Sequence, residues 1–77
     1  IDVYYSNNIK SIVIINPLHH NINNLQIMTL LGQTIITVRD ISNQNYQEIK
    51  LNGLSSGAYI IKLNTSRGIV SKKIIIH

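Results

Sequence analysis

Apolar residues along this chain come in short runs cut by turn-forming residues, and nowhere at helical spacing. Ile1 to Tyr5 reads as a strand. Ser6-Asn7-Asn8 reads as a turn, because asparagine tolerates positive φ, and Ile9 to Ile15 as the second arm of a hairpin. Asn16-Pro17 ends that arm. Pro17 has no N–H for a ladder, which confines it to an edge or a loop. His19 to Asn24 is polar and reads as a loop. Leu25 to Leu31 resumes strand character until Gly32-Gln33 breaks it. Thr34 to Arg39 follows, with Ile35 and Val38 expected to point inward, and Ile41 to Asn45 is a loop.

The second half is more regular. Tyr46 to Leu51 alternates, with Gln47, Ile49 and Leu51 on the expected core face. A glycine- and serine-rich turn, Gly53 to Gly57, precedes a strand from Ala58 to about Asn64, whose Tyr59, Ile61 and Leu63 share a face. Ser66-Arg67-Gly68 reads as a hairpin turn. Ile69 to Ile76 is the last strand, with Ser71-Lys72-Lys73 expected to interrupt it. About seven short strands at roughly 8–12-residue spacing predict an all-β, antiparallel sandwich or barrel. Its expected core includes Ile49, Leu51, Leu54, Tyr59, Ile61 and Leu63.

Composition supports this reading. Isoleucine makes up about a fifth of the residues, and such β-branched side chains suit a pleated surface. Alanine occurs once, at Ala58. At 77 residues the chain has room for one domain, and one this small buries only about 60% of its unfolded surface. The absence of cysteine removes disulfides and thiolate chemistry. A first residue other than Met suggests a fragment of a longer protein. The net charge of +4 is scattered, with only Lys72-Lys73 adjacent, which argues against a nucleic-acid patch. No apolar run approaches the roughly 20 residues of a membrane-spanning helix.

Three motifs invite a chemical reading. Gly53-Leu54-Ser55-Ser56-Gly57 spells the G-x-S-x-G of a nucleophile elbow, but that elbow needs a helix after the serine, and here a β-branched segment follows. No Asp or Glu follows Ser55, and the sole downstream histidine is His77. The stretch therefore reads as a turn, with Gly53 and Gly57 supplying positive φ and the serines bonding nearby backbone. His19-His20 would point to opposite faces of a strand, and the acids Asp2, Asp40 and Glu48 are dispersed, so no metal or cofactor is expected. Asn64-Thr65-Ser66 fits a glycosylation sequon but falls at a hairpin turn. The inventory argues against an enzyme.

The segment "IKLNGLSSGAYIIKLNTSRGIVSKKIIIH" resembles the C-terminal sorting domain of proteins exported by the type IX secretion system of Bacteroidetes. Leu51, Gly53, Leu54, Ser56, Gly57, Tyr59, Ile60, Ile61 and Lys62 fit that family's central block. Gly68 fits its turn, and Lys72, Lys73, Ile74 and Ile75 fit its end. Upstream, "LQIMTLLGQTI" resembles a further family segment with Gly32 in the glycine position, and Thr29 stands where the family often has Asp. Asn16-Pro17 is similar to the "P-N-P" near the family's domain start.

The resemblance implies an immunoglobulin-like sandwich over residues 1–77, excised from a larger secreted protein and acting as an address. Its implied partners are an N-terminal cargo domain in the same chain, outer-membrane translocon components and a surface sortase-like protease. Its implied route is periplasmic, then secreted or cell-surface. Gly57, Tyr59, Lys72, Lys73, Ile74, Ile75 and Ile76 are the candidate recognition residues, because an apolar last strand can pair with a partner's sheet edge. The competing expectations are a glycan- or surface-binding module, with Tyr4, Tyr5 and Tyr46 as its available aromatics, and a passive immunoglobulin-like spacer.

Overall fold

The computed structural model describes residues 1–77 and contains no helix. Its seven strands are β1 (Asp2–Ser6), β2 (Ser11–Ile15), β3 (Ile22–Met28), β4 (Thr34–Val38), β5 (Tyr46–Lys50), β6 (Gly57–Thr65) and β7 (Gly68–Ile76). They form a three-stranded sheet in the order β1-β2-β5 and a four-stranded sheet in the order β4-β3-β6-β7. Every pairing is antiparallel. The expected all-β sandwich is what the chain forms.

The two sheets enclose one aliphatic core. Val3, Ile12 and Ile14 come from the three-stranded sheet. Ile22, Leu25, Ile27, Tyr59, Ile61, Leu63, Ile74 and Ile76 come from the other, and Leu51 closes one end. Each such side chain contributes about 1.5–3 kcal/mol on burial. The expected core residues Leu51, Tyr59, Ile61 and Leu63 are in it, while Ile49 and Leu54 pack against it half-buried. Strand β2 is central in its sheet and buried from Ser11 to Ile14. That explains its unbroken apolar run in place of an alternation.

Four expectations need correction. Strand β3 starts at Ile22 and ends at Met28, so Leu30 and Leu31 belong to a turn. In β4 the inward residues are Ile36 and Val38, while Ile35 faces water, as the two-residue period requires. Strand β7 runs unbroken through Ser71, Lys72 and Lys73, which pair with Lys62, Ile61 and Ile60. In the β1–β2 turn the positive φ falls on Lys10, at 52°, and Asn7 is freed for other bonds.

The loop after β2 is held by one buried side chain. Asn16 donates from Nδ2 to the His20 carbonyl (2.9 Å) and accepts the His20 N–H at Oδ1 (3.0 Å). Its own N–H reaches the Asn45 carbonyl at 2.8 Å, which ties this loop to the one before β5. A buried amide so fully bonded fixes a loop that apolar packing alone would leave loose.

Candidate functional site: an edge strand and its seam

The β6–β7 hairpin carries all seven candidate recognition residues. Its ladder begins at Thr65 and Gly68, which flank a two-residue turn, and runs to Gly57 and Ile76. Thr65 fastens the turn: its Oγ1 donates to the Gly68 carbonyl (2.8 Å) and accepts the Arg67 N–H (3.1 Å). Gly57 pairs with Ile76, Tyr59 with Ile74, Ile60 with Lys73 and Ile61 with Lys72.

Gly57 opens β6 with φ +156°, a conformation that L side chains rarely adopt. A Cβ there would meet only ordinary contacts with the Tyr59 ring, so the requirement is conformational and not steric. Gly53 is likewise at φ +83°, as the turn reading requires. The serine hydroxyls do less than expected. The Tyr59 hydroxyl donates to the Ser55 carbonyl at 2.8 Å, and Ser55 Oγ meets that same hydroxyl at 3.4 Å. A buried tyrosine thus staples the turn from which its own strand departs. The G-x-S-x-G stretch is a strand-launching turn.

The alternation of β7 divides its candidate residues between two faces. Ile74 and Ile76 are buried in the core. Lys72 shares their face but sits where the sandwich opens, opposite fully buried Ile61. Its ammonium pairs with the Asp2 carboxylate on β1. That hydrogen bond, with the Val3 N–H as a second donor at 2.8 Å, holds the Asp2 carboxyl below its ordinary value of 3.8. Lys73 and Ile75 lie on the outer face, both exposed.

Strand β7 is an edge of its sheet. Beyond it lies β1, close but not paired by a ladder. Three side-chain contacts bridge the gap: Lys72 to Asp2, Asn7 Nδ2 to the Ile75 carbonyl (3.3 Å), and the His77 N–H to Asn7 Oδ1 (3.0 Å). The order of these contacts makes β1 and β7 run parallel along the seam. In an antiparallel ladder alternate residues turn their backbone groups away from the neighbour. Counted from the Thr65–Gly68 pair, those residues on β7 are Ile69, Ser71, Lys73 and Ile75. Asn7 occupies the carbonyl of Ile75, and no hydrogen bond outside the ladder reaches Ile69, Ser71 or Lys73. Asp2 and Asn7 escaped sequence reasoning, because their partners lie about 70 residues away and no local pattern signals them.

The other candidates sit apart from this seam. His19 Nδ1 lies 2.9 Å from the Asn43 carbonyl, and no group of three His, Cys, Asp or Glu gathers anywhere. Of the aromatics, Tyr5 packs against the core, while Tyr4 and Tyr46 stand exposed on the three-stranded sheet. A cleft of about 210 Å³ opens at the end of the sandwich among Tyr5, Lys10, Leu51, Leu54, Ile76 and His77.

Residues 3–77, essentially the whole chain, match the family described as the secretion system C-terminal sorting domain. No curated protein and no solved structure matches the chain.

Proposed function

We propose how this chain, which belongs to the family of secretion system C-terminal sorting domains, is read by its machinery. The family's domain is a sorting signal of type IX secretion, which exports proteins across the outer membrane to the cell surface or beyond. The signal implies a cargo part N-terminal to it and contact with the secretion machinery. The finer reading is that an outer-membrane translocon component adds a strand to the open edge of β7. The supporting observation is the unpaired outward backbone groups at Ile69 and Ser71, on the part of this edge strand that precedes the seam with β1. Main-chain bonds give affinity in such strand addition, and alternate side chains give specificity. Lys73 and Ile75 are the candidates for that second role. Gly57, Tyr59, Ile74 and Ile76 act by holding the edge in place, and Lys72 by pinning it to β1. Cargo folds in the periplasm, and a sortase-like protease at the surface separates cargo from signal.

The test is a periplasmic reporter fused ahead of residues 1–77 in a host with the type IX system. Removing Ser71 to His77 is a poor probe, because Ile74 and Ile76 are core and the domain would unfold. Ser71→Pro is sharper. It removes one outward N–H from an edge strand, a position where proline is tolerated. A folded Ser71→Pro fusion held in the periplasm is the expected result. Export equal to the parent's would overturn strand addition at this edge.

A further inference from the structure

The turn between β3 and β4 presents apolar side chains to water from a fixed frame. The Thr29 N–H donates to the Gln33 carbonyl (2.8 Å) and the Gly32 N–H to the Thr29 carbonyl (2.9 Å). The Gln33 N–H donates to Thr29 Oγ1 at 3.2 Å, and Gly32 takes φ +90°. On this frame Leu30 is 53% exposed and Leu31 97% exposed. Packing gives no account of Leu31, which touches almost nothing. The turn lies at the end of the sheet where Met28 pairs with Ile60, and Ile60 with Lys73. There the outer face carries half-buried Met28 and Ile60 beside exposed Ile35 and Ile75. The far half of the same face is polar, with Asn64 bonded to Asn24 and Gln26.

Charge on this face has one sign. Lys62 and Lys73 stand on it, while Asp2 is taken up in the seam, Asp40 follows the end of β4 far from the turn, and Glu48 lies on the other sheet. An apolar patch with basic neighbours and no acid complements a protein surface that is apolar at its centre and carboxylate at its rim.

We infer that the Leu30-Leu31 turn and the apolar half of the outer face form a docking surface for an acid-rimmed apolar groove on a protein of the secretion machinery. The inference rests on the proposed reading of the domain as a signal bound by that machinery. It adds a second contact, continuous with the β7 edge through Lys73 and Ile75. The two leucines enter the groove, and the lysines meet its carboxylates.

The reporter fusion tests this with Leu30→Ser/Leu31→Ser and, separately, Lys62→Glu/Lys73→Glu. Neither pair removes a core residue, and thermal melts of residues 1–77 check that both still fold. The expected result is parental melting with export reduced by about tenfold or more, as loss of interface anchors gives. Tyr4→Ser, on the opposite sheet, should export like the parent. If both folded double variants export normally while Ser71→Pro does not, the docking surface is overturned and the edge reading stands. If the intact fusion is not exported, both fall. Binding of residues 1–77 to phosphatidylglycerol vesicles, lost with Leu30→Ser/Leu31→Ser, would assign the surface to lipid and overturn the protein partner. A folding failure of the leucine variant is answered by Leu31→Ser alone, whose side chain is almost wholly in water.

Discussion

The two sheets treat their outer faces differently. On the three-stranded sheet, Val13 points away from the core yet is only 1% exposed. Its cross-strand neighbours are Tyr4 and Glu48, and Tyr46 stands two pairs along opposite Ile15. The Tyr46 hydroxyl donates to Glu48 at 2.6 Å, and that bond holds the phenol protonated to higher pH than usual. Side chains of the sheet itself therefore roof its apolar residue. On the four-stranded sheet, Ile35 and Ile75 have no such roof. An apolar residue covered by its own neighbours serves stability, whereas one left open is available to a partner.

The largest test breaks the layer that both sheets share. Ile61→Ala should cost about 2–5 kcal/mol, a large part of what so small a domain holds. Chemical denaturation measures it, and melting with the parent would remove Ile61 from the core. Gly57→Val comes next, with a loss above ~1 kcal/mol because valine resists positive φ. The comparison itself is sharpened by Tyr4→Ala against Ile75→Thr. Uncovering Val13 should cost on the order of 1 kcal/mol, while the open isoleucine should change stability by no more than about 0.5 kcal/mol. Equal losses would mean that the two faces do not differ.

The smallest effect lies in the seam. Lys72 and the Val3 N–H depress the Asp2 carboxyl in the folded state. The stabilisation is complete above the ordinary value of 3.8 and is lost as pH falls through the lower folded-state value. Both partners are about half exposed, so the contribution stays under about 1 kcal/mol and shrinks with salt. Asp2→Asn should flatten that part of the acid melting profile. A profile unchanged by the substitution would show that the pair adds nothing.

Strands β5 and β6 were legible because each is half-buried and alternates cleanly, so Ile49, Tyr59, Ile61 and Leu63 announced their face. The start of β3 was not, because Asn21, Asn23 and Asn24 surround Ile22 and imitate a loop. A register shift between Ile22 and Asn24 further breaks the period there. Strand β7 looked interrupted because an edge strand can carry lysine even at an inward position. The hairpin that holds the candidate residues was readable from local signals. Which part of the β7 edge stays open was not, since that depends on β1 lying alongside.

That neighbouring of first and last strands also sets an order in time. Strands β1 and β2 pair across a short turn, as do β6 and β7, so both hairpins can form early. The bonds from Asp2 and Asn7 span 68 to 70 residues, and closing so long a loop comes after local pairing. Substitutions at Asn7 should therefore speed unfolding and leave the folding rate nearly unchanged. Only a chain that has completed its last step shows β7 pinned at one end and open along the rest. The seam is thus a contact that an unfinished domain lacks.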